Sequence, residues 1–156
     1  MHQIQAVEPV RRMAVVPVSQ ERAFEMFTER MTSWWPSTHH IGETDIDEVI
    51  IEGHEGGRWY TRHVDGSETS TGYVASWDPP SRVVLTWQIG GDWKFDPDLV
   101  THVEVRFVAE APDRTRVELE HRDLDRFGPE GANMRAKFEE PGAWGGILER
   151  FAGALS

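Results

Sequence analysis

The strongest constraint on the fold of this chain is a change of hydrophobic period between Asp45 and His121. Within this stretch, apolar and polar residues alternate in short runs, and clusters of Gly, Pro and Asp separate one run from the next. Val103, Val105 and Phe107, for example, fall on the same side of a strand. Such alternation is typical of an antiparallel sheet with one covered and one solvated face. It predicts six strands, at about 46–54, 57–64, 69–77, 82–89, 101–109 and 115–122.

Further elements flank this meander on both sides. A β-rich run at about 7–16 precedes a helix predicted over about 20–31, for which Ser19 is a suitable N-cap. After the last strand, a looser helix interrupted by glycine and proline is predicted at about 125–137. Apolar residues at helical spacing then predict an amphipathic terminal helix at about 141–155.

This order of elements predicts an α+β fold. A curved antiparallel sheet of about seven strands wraps around the long C-terminal helix, the first strand pairs with the last, and two short helices follow the first strand. The chain has 156 residues, which suits one domain over residues 1–156. Because a single helix cannot fill a strongly curved sheet, we expect a cavity between the sheet and the helix.

The composition excludes several classes of partner. Asp and Glu number 27 against 16 Lys and Arg, which gives a net charge of −11. An acidic surface repels phosphate groups, so neither nucleic acid nor an anionic membrane is expected as a partner. No apolar run is long enough to span a bilayer and no secretion signal is evident, so the sequence predicts a cytoplasmic protein. The chain has no cysteine, which excludes disulfides and thiolate sites.

A series of short motifs carries a family resemblance. The motifs are Phe24-Glu25-Met26-Phe27-Thr28, Trp34-Trp35-Pro36, Gly56-Gly57-Arg58-Trp59-Tyr60, Trp77-Asp78-Pro79-Pro80, Thr101-His102-Val103-Glu104-Val105 and Gly142-Ala143-Trp144. In order and spacing they resemble the START-like SRPBCC superfamily, and within it the C-terminal-domain-like homologues of the activator of the heat-shock-protein-90 ATPase. The resemblance covers about 10–155. It implies the helix-grip fold of the birch-pollen-allergen type, with a deep apolar pocket.

His121 is the best candidate for a catalytic residue. Its parity in the last strand places it on the inward face with Val117 and Leu119. There it could bond the polar head of a ligand or act as a general base. The alternative is a core histidine whose ring is satisfied by a backbone carbonyl or a neighbouring tyrosine. The sequence leaves both interpretations open.

Tryptophan is unusually frequent, with seven residues against two tyrosines. Large flat side chains suit a hydrophobic or aromatic ligand, and the indole N–H offers a polar contact. Alternatively, tryptophans fill the volume beneath a curved sheet, which is the favoured interpretation for Trp87 and Trp144, whereas Trp35 and Trp93 are expected at the pocket rim. The predicted ligand-binding residues are Trp35, Trp59, Leu85, Trp87, Trp93, Val105, Leu119, His121, Trp144 and Leu148.

The adjacent histidines His39 and His40 invite a metal hypothesis. Adjacent side chains point in different directions, however, and no HxH or HxxxH pattern accompanies them. We therefore expect no metal and place the pair in a loop at the mouth of the pocket. No phosphate loop, dinucleotide fingerprint or nucleophile elbow is present, so no cofactor is expected either.

Three functions remain open at this point. The first is a small-molecule binding protein that sequesters or senses a hydrophobic ligand in an aromatic-lined cavity. The second is an enzyme of the polyketide cyclase or hydrolase kind that uses His121, and the third is a co-chaperone-like interaction module. The expected partner is a small hydrophobic molecule, while a homodimer and a chaperone contact stay open. The resemblance alone does not transfer a function.

Overall fold

Seven antiparallel strands form the sheet in the computed structural model, which describes residues 7–155. The predicted domain limits at residues 1 and 156 lie outside the described residues. The strands are β1 (Val10–Val16), β2 (Ile46–Ile51), β3 (Arg58–His63), β4 (Glu68–Asp78), β5 (Arg82–Trp87), β6 (Thr101–Ala111) and β7 (Arg114–Arg122). The α-helices are α1 (Gln20–Thr28), α2 (Gly131–Glu139) and α3 (Trp144–Ala154). Two 3-10 helices occupy Met31–Ser33 and Leu124–Glu130.

The strand order confirms the predicted closure of the sheet. It runs β1-β7-β6-β5-β4-β3-β2, so the first strand returns to pair with the last. Val10 lies opposite His121 and Val16 opposite Thr115 in this antiparallel pair. The helices pack against the concave face, which gives the α+β helix-grip arrangement.

Helix α1 begins as predicted and ends three residues early. The Ser19 hydroxyl oxygen accepts a hydrogen bond from the Arg22 amide at 3.2 Å, which caps the first turn. At the other end, the indole N–H of Trp34 donates to the Met26 carbonyl at 2.9 Å. In a longer helix that carbonyl would accept from the amide of residue 30. Because the indole takes this place, the helix ends and the chain turns into the 3-10 helix that begins at Met31.

The C-terminal helical region is divided more sharply than the periodicity predicts. Gly128, with φ 66°, breaks the 3-10 helix Leu124–Glu130 before α2 begins at Gly131. Glu140 is extended, at φ −60° and ψ 149°, because Pro141 disfavours the helical conformation of the residue before it. Helix α3 therefore starts at Trp144 and has 11 residues. It is shorter than the terminal helix predicted over about 141–155. Within the described residues, no helix is long and apolar enough to cross a membrane.

One end of the concave face is filled by aromatic side chains. Phe27 of α1 packs edge-on against Phe107 of β6 and Phe151 of α3, with ring centroids 5.8 and 5.4 Å apart. Trp34 completes the cluster at 5.0 Å from Phe27 and 5.2 Å from Phe151. This cluster leaves the other end of the concave face, towards β2, as the part that can hold a cavity.

The convex face carries a buried acid, Glu104. The alternation correctly places it on the outward face, but it does not predict that neighbouring side chains bury it. Glu104 is 6% exposed and accepts hydrogen bonds from Arg82 at 3.1 Å, Arg122 at 2.6 Å and Arg106. Burial alone would raise the pKa of this carboxyl group, but hydrogen bonds from Arg106, Arg122 and Arg82 outweigh it. The pKa of Glu104 is consequently lowered to about 2.

Candidate functional site

The cavity beneath β3, β4 and β5, termed the main cavity, has a volume of about 350 Å³. Trp35, Trp59, Trp87 and Trp93 form its aromatic walls. Its polar lining comes from the loop that follows the first 3-10 helix and from three threonines on β3 and β4. These residues are Thr38, His39, His40, Thr61, Thr69 and Thr71. Of the described residues that line this cavity, none is Lys, Arg, Asp or Glu.

A second cavity of about 410 Å³ adjoins the first at the α2–α3 junction. The two share Trp35, His39, Trp87 and Trp93 as lining residues. The second adds three carbon-rich side chains from the helices, together with Lys137 and Glu140. The helical contributions are Phe138, Trp144 and Ile147. The shared tryptophans therefore stand between an uncharged chamber and one whose lining includes two charged residues.

Strand alternation positions the cavity walls. Trp59 and Thr61 are two residues apart on β3 and share its inward face, while Thr69 and Thr71 do the same on β4. A bulge interrupts the β3–β4 register directly beyond Trp59, opposite Gly72. A Cβ atom at position 72 would lie 1.9 Å from the Thr86 carbonyl oxygen, so only glycine permits this approach of β4 to β5.

One of three tryptophans in this region forms a hydrogen bond through its indole N–H, and the other two do not. Trp35 Nε1 donates to the His39 carbonyl at 2.8 Å and thereby fixes the loop to the cavity wall. The indole N–H groups of Trp59 and Trp87 are buried and have no hydrogen-bond partner. Their rings lie edge-on to each other, with centroids 5.8 Å apart. Both indoles contact other aromatic rings, which can act as weak acceptors.

His121 is fully buried and both of its ring nitrogens are used within the protein. Its Nδ1 accepts a hydrogen bond from Trp144 Nε1 at 3.0 Å. The neutral ring then carries its proton on Nε2, which donates to Thr101 Oγ1 at 2.8 Å. Thr101 in turn donates to the Trp87 carbonyl at 2.8 Å. Burial, with a smaller contribution from the nearby His102, lowers the pKa of His121 to about 3.

This arrangement corresponds to the core interpretation of His121, with other partners than those expected. A tryptophan N–H and a threonine hydroxyl satisfy the ring, in place of a carbonyl or a tyrosine. His121 is also absent from the lining of both cavities and lies behind Trp87 and Trp144. No ring nitrogen of His121 is left to contact a ligand or to take a proton from one.

The loop histidines lie at the cavity, where the sequence places them. His39 donates from Nε2 to the Gly142 carbonyl at 2.8 Å and accepts at Nδ1 from the Thr38 hydroxyl at 3.1 Å. His40 donates from Nδ1 to the Gly42 carbonyl at 3.2 Å. Because this bond fixes the tautomer, Nε2 of neutral His40 carries a lone pair, and it bonds to no described residue. No group of three or more His, Cys, Asp or Glu side chains in the described part of the chain is arranged to hold a metal ion.

The predicted ligand-binding residues separate into two groups. Trp35, Trp59, Trp87 and Trp93 line the main cavity, and Trp144 lines the second. Four aliphatic residues of the prediction lie in the hydrophobic core, outside the lining of both cavities. They are Leu85, Val105, Leu119 and Leu148, each at most 2% exposed. Alternation identifies the inward face correctly, but it does not tell which part of that face the helices cover.

The sequence interpretation overlooked the polar part of the lining. Thr61 and Thr71 are 5% and 9% exposed, and their hydroxyl groups bond to no described residue. Thr69 also lines the cavity, but its hydroxyl donates to Nε2 of the buried His63 at 2.9 Å. Parity could have identified Thr61, which shares the inward face of β3 with Trp59. Thr69 and Thr71 have the parity of the exposed Tyr73, and the bulge in the β3–β4 pairing turns them inward.

Comparison with known proteins provides an independent description of the chain. The sequence model described as "Activator of Hsp90 ATPase homolog 1-like protein" matches residues 17–156. A search of curated proteins finds no match. The chain is similar to the solved structure of an anthrahydroquino-γ-pyrone synthase, Txn09, at 36% identity, over 96% of this chain and 98% of that one, with a TM-score of 0.67.

Two further solved structures extend the comparison. The self-sacrificing resistance protein CalC from Micromonospora echinospora is 30% identical over 95% of this chain and 94% of that chain, with a TM-score of 0.72. The Aha1 dimer from Colwellia psychrerythraea is 14% identical over 94% of this chain and 96% of that chain, with a TM-score of 0.61. The last similarity establishes a shared fold alone.

Proposed function

The chain belongs to the family of activator of Hsp90 ATPase homolog 1-like proteins, and we propose that it binds a small hydrophobic molecule of aromatic character in its internal cavity. The observation that carries this proposal is the tryptophan-walled chamber of about 350 Å³ beneath β3, β4 and β5. Ligand sites are concave, mostly apolar and about 300–1,000 Å³ in volume, with a few placed polar groups. Aromatic walls favour flat ligands because ring edges and faces pack together.

Similarity to Txn09 supports an aromatic ligand over an aliphatic one. That protein is 36% identical and is named as a synthase of an anthrahydroquino-γ-pyrone, a fused ring system. The chamber would also be a poor site for a fatty acid, because no Lys or Arg is among the described residues that line it. A carboxylate buried there would lose its hydration without gaining a counter-ion.

We expect fused aromatic compounds to raise the melting temperature of the protein in a saturable way. A ligand at 100 times its dissociation constant adds about 2.7 kcal/mol to the free energy of unfolding. For a chain of this length that corresponds to a rise of roughly 5–10 °C. The measurement is a thermal-shift screen of flavonoids and aromatic polyketides beside fatty acids and sterols.

Two substitutions on β4 locate the effect. Thr71→Phe places a ring in the cavity and should abolish the shift, because Thr71 lines the chamber. Ser70→Phe adds the same ring at the next position, which faces the opposite side of the strand, and should preserve it. Equal shifts in the two variants would mean that binding occurs elsewhere on the surface. No shift with any compound would contradict the proposal.

A reaction on the bound molecule is the second candidate function, and the similarity to a named synthase favours it. His121 is unsuited to this role because both of its ring nitrogens are bonded within the core. His40 lines the chamber and retains a lone pair on Nε2. If the ligand is a substrate, chromatography of the incubated mixture should show a product with the unmodified protein and none with His40→Leu. Product formation that persists in His40→Leu would exclude this residue as the acid or base.

A further inference from the structure

The polar atoms of the main cavity are few and identifiable. Thr61 and Thr71 are each more than nine-tenths buried, yet their hydroxyl groups bond to no described residue. Both hydroxyl oxygens remain accessible to solvent, unlike the sealed indole N–H groups of Trp59 and Trp87. Since both residues line the cavity, these hydroxyl groups are the ones that a molecule inside it can reach.

Most of the other polar side chains of the lining are already bonded, and the unpartnered indole N–H groups of Trp59 and Trp87 are sealed from solvent. The Thr69 hydroxyl donates to His63, and the Trp35 indole N–H donates to the His39 carbonyl. Both ring nitrogens of His39 are bonded as well. His40 differs, because its Nδ1 donates to the Gly42 carbonyl and leaves Nε2 as a bare acceptor.

These free groups define a chemical preference. Two hydroxyl groups can donate to an oxygen of a ligand, whereas Nε2 of neutral His40 can only accept, so it calls for an O–H or N–H on the ligand. A molecule without polar atoms would displace water from all three groups and leave them unsatisfied, which disfavours its binding. A charged molecule would find no opposite charge among the described residues that line the chamber.

We propose that the cavity selects an uncharged phenolic aromatic compound, whose oxygen atoms bond to the hydroxyl groups of Thr61 and Thr71 and whose phenolic hydrogen bonds to Nε2 of His40. This inference rests on the proposed binding function and narrows its ligand class. The tryptophan walls pack against the flat ring, and the three polar groups recognise the number and position of its oxygen substituents. The free hydroxyl groups of Thr61 and Thr71, which both line the cavity, carry the inference.

The test compares three probes of one ring size by isothermal titration calorimetry. 2-Naphthol has a phenolic hydrogen, 2-methoxynaphthalene keeps the oxygen but lacks that hydrogen, and naphthalene has neither. One net hydrogen bond corresponds to about a 2–10-fold change in affinity. We expect the protein to bind 2-naphthol at least about tenfold more tightly than naphthalene, with 2-methoxynaphthalene between them.

Variants assign the preference to individual groups. Thr61→Val and Thr71→Val remove a hydroxyl but keep its shape, so each should weaken binding of 2-naphthol about 2–10-fold and change naphthalene binding less than about twofold. His40→Leu should abolish the difference between 2-naphthol and 2-methoxynaphthalene. Thr69→Val is the matched control: it makes the same chemical change in the same wall, but its hydroxyl is committed to His63, so the preference should persist.

The outcomes separate this inference from the proposed function. If naphthalene and 2-naphthol bind with equal affinity, or if the valine variants weaken both equally, the phenolic preference is wrong and the binding function stands. If none of the three probes binds and the thermal-shift screen is also empty, the binding function itself is wrong. Melting curves of each variant confirm that the measured protein is folded.

Discussion

Replacing Trp34 with alanine should lower the free energy of unfolding by about 3–5 kcal/mol. Trp34 is 1% exposed and packs against Phe27 and Phe151 at the filled end of the concave face. Alanine leaves a large void there, because close-packed neighbours relax only in part. It also removes the donor to the Met26 carbonyl, which the chain uses to fold back after α1. Urea denaturation followed by circular dichroism measures the loss.

Two companion substitutions show which part of the side chain matters. Trp93→Ala removes the same side chain where it is 50% exposed and should cost less than about 1 kcal/mol. Trp34→Phe keeps most of the ring volume but not the N–H, so it should fall between the two alanine variants. A loss below about 1 kcal/mol for Trp34→Ala would show that the cluster does not hold the helices to the sheet.

The second large effect is a loss of stability in mild acid. The pKa of His121 falls from 6.5 in the unfolded chain to about 3 in the folded protein, because burial excludes the charged ring. Between these values the unfolded chain binds a proton that the folded protein does not. The contribution of the neutral, buried His121 to the free energy of unfolding is therefore fully present above about pH 6.5. It decreases as the pH falls towards 3. The slope is roughly 1.4 kcal/mol per pH unit, which is large against a total stability of 5–15 kcal/mol.

The buried acid on the convex face contributes in a lower window. The pKa of Glu104 is lowered from 4.5 to about 2, so its stabilising effect is lost as the pH falls below about 4.5. Urea denaturation at about pH 7, 6 and 5 therefore isolates the contribution of His121 from that of Glu104.

A non-titrating side chain provides the control for His121. His121→Gln retains a donor and an acceptor for Thr101 and Trp144, and every other histidine is the same in both proteins. The slope of its free energy of unfolding against pH, between pH 6.5 and 5, should therefore be smaller than that of the unmodified protein by about 1 kcal/mol per unit. An unchanged slope would contradict the neutral, buried state of the ring. NMR of the imidazole nitrogens in the unmodified protein, which should show an Nε2–H tautomer at about pH 5, gives the same answer without a substitution.

The sheet could be predicted because its signals are local. Alternation and turn residues place six strands within a few residues of their observed bounds, and the predicted pairing of first and last strands is present. The division of the C-terminal helices was harder to foresee, because Pro141 is compatible with either the first turn of a helix or a break before it. In the structure the helix breaks before Pro141, and Trp144 at the start of α3 packs beside Trp87.

The site could be predicted only in part, for a different reason. Parity identifies inward residues such as Trp59 and Leu85 equally well, yet one lines the cavity and the other is core. The difference depends on which stretch of the concave face lies under Phe27 and Phe151, a long-range property that no local pattern contains. Thr61 was recognisable from parity because it shares its face with Trp59. Thr71 was not, because it has the parity of the exposed Tyr73 and faces inward through the bulge in the β3–β4 pairing.

The indole rings have an optical consequence. Trp34, Trp35, Trp59, Trp87 and Trp144 form a connected series whose successive ring centroids lie 5.7–6.2 Å apart. At such separations an excited indole passes its energy to its neighbour faster than it emits light. Emission from these five rings is therefore a collective property, and one light-absorbing molecule in the chamber would quench light captured anywhere along the series.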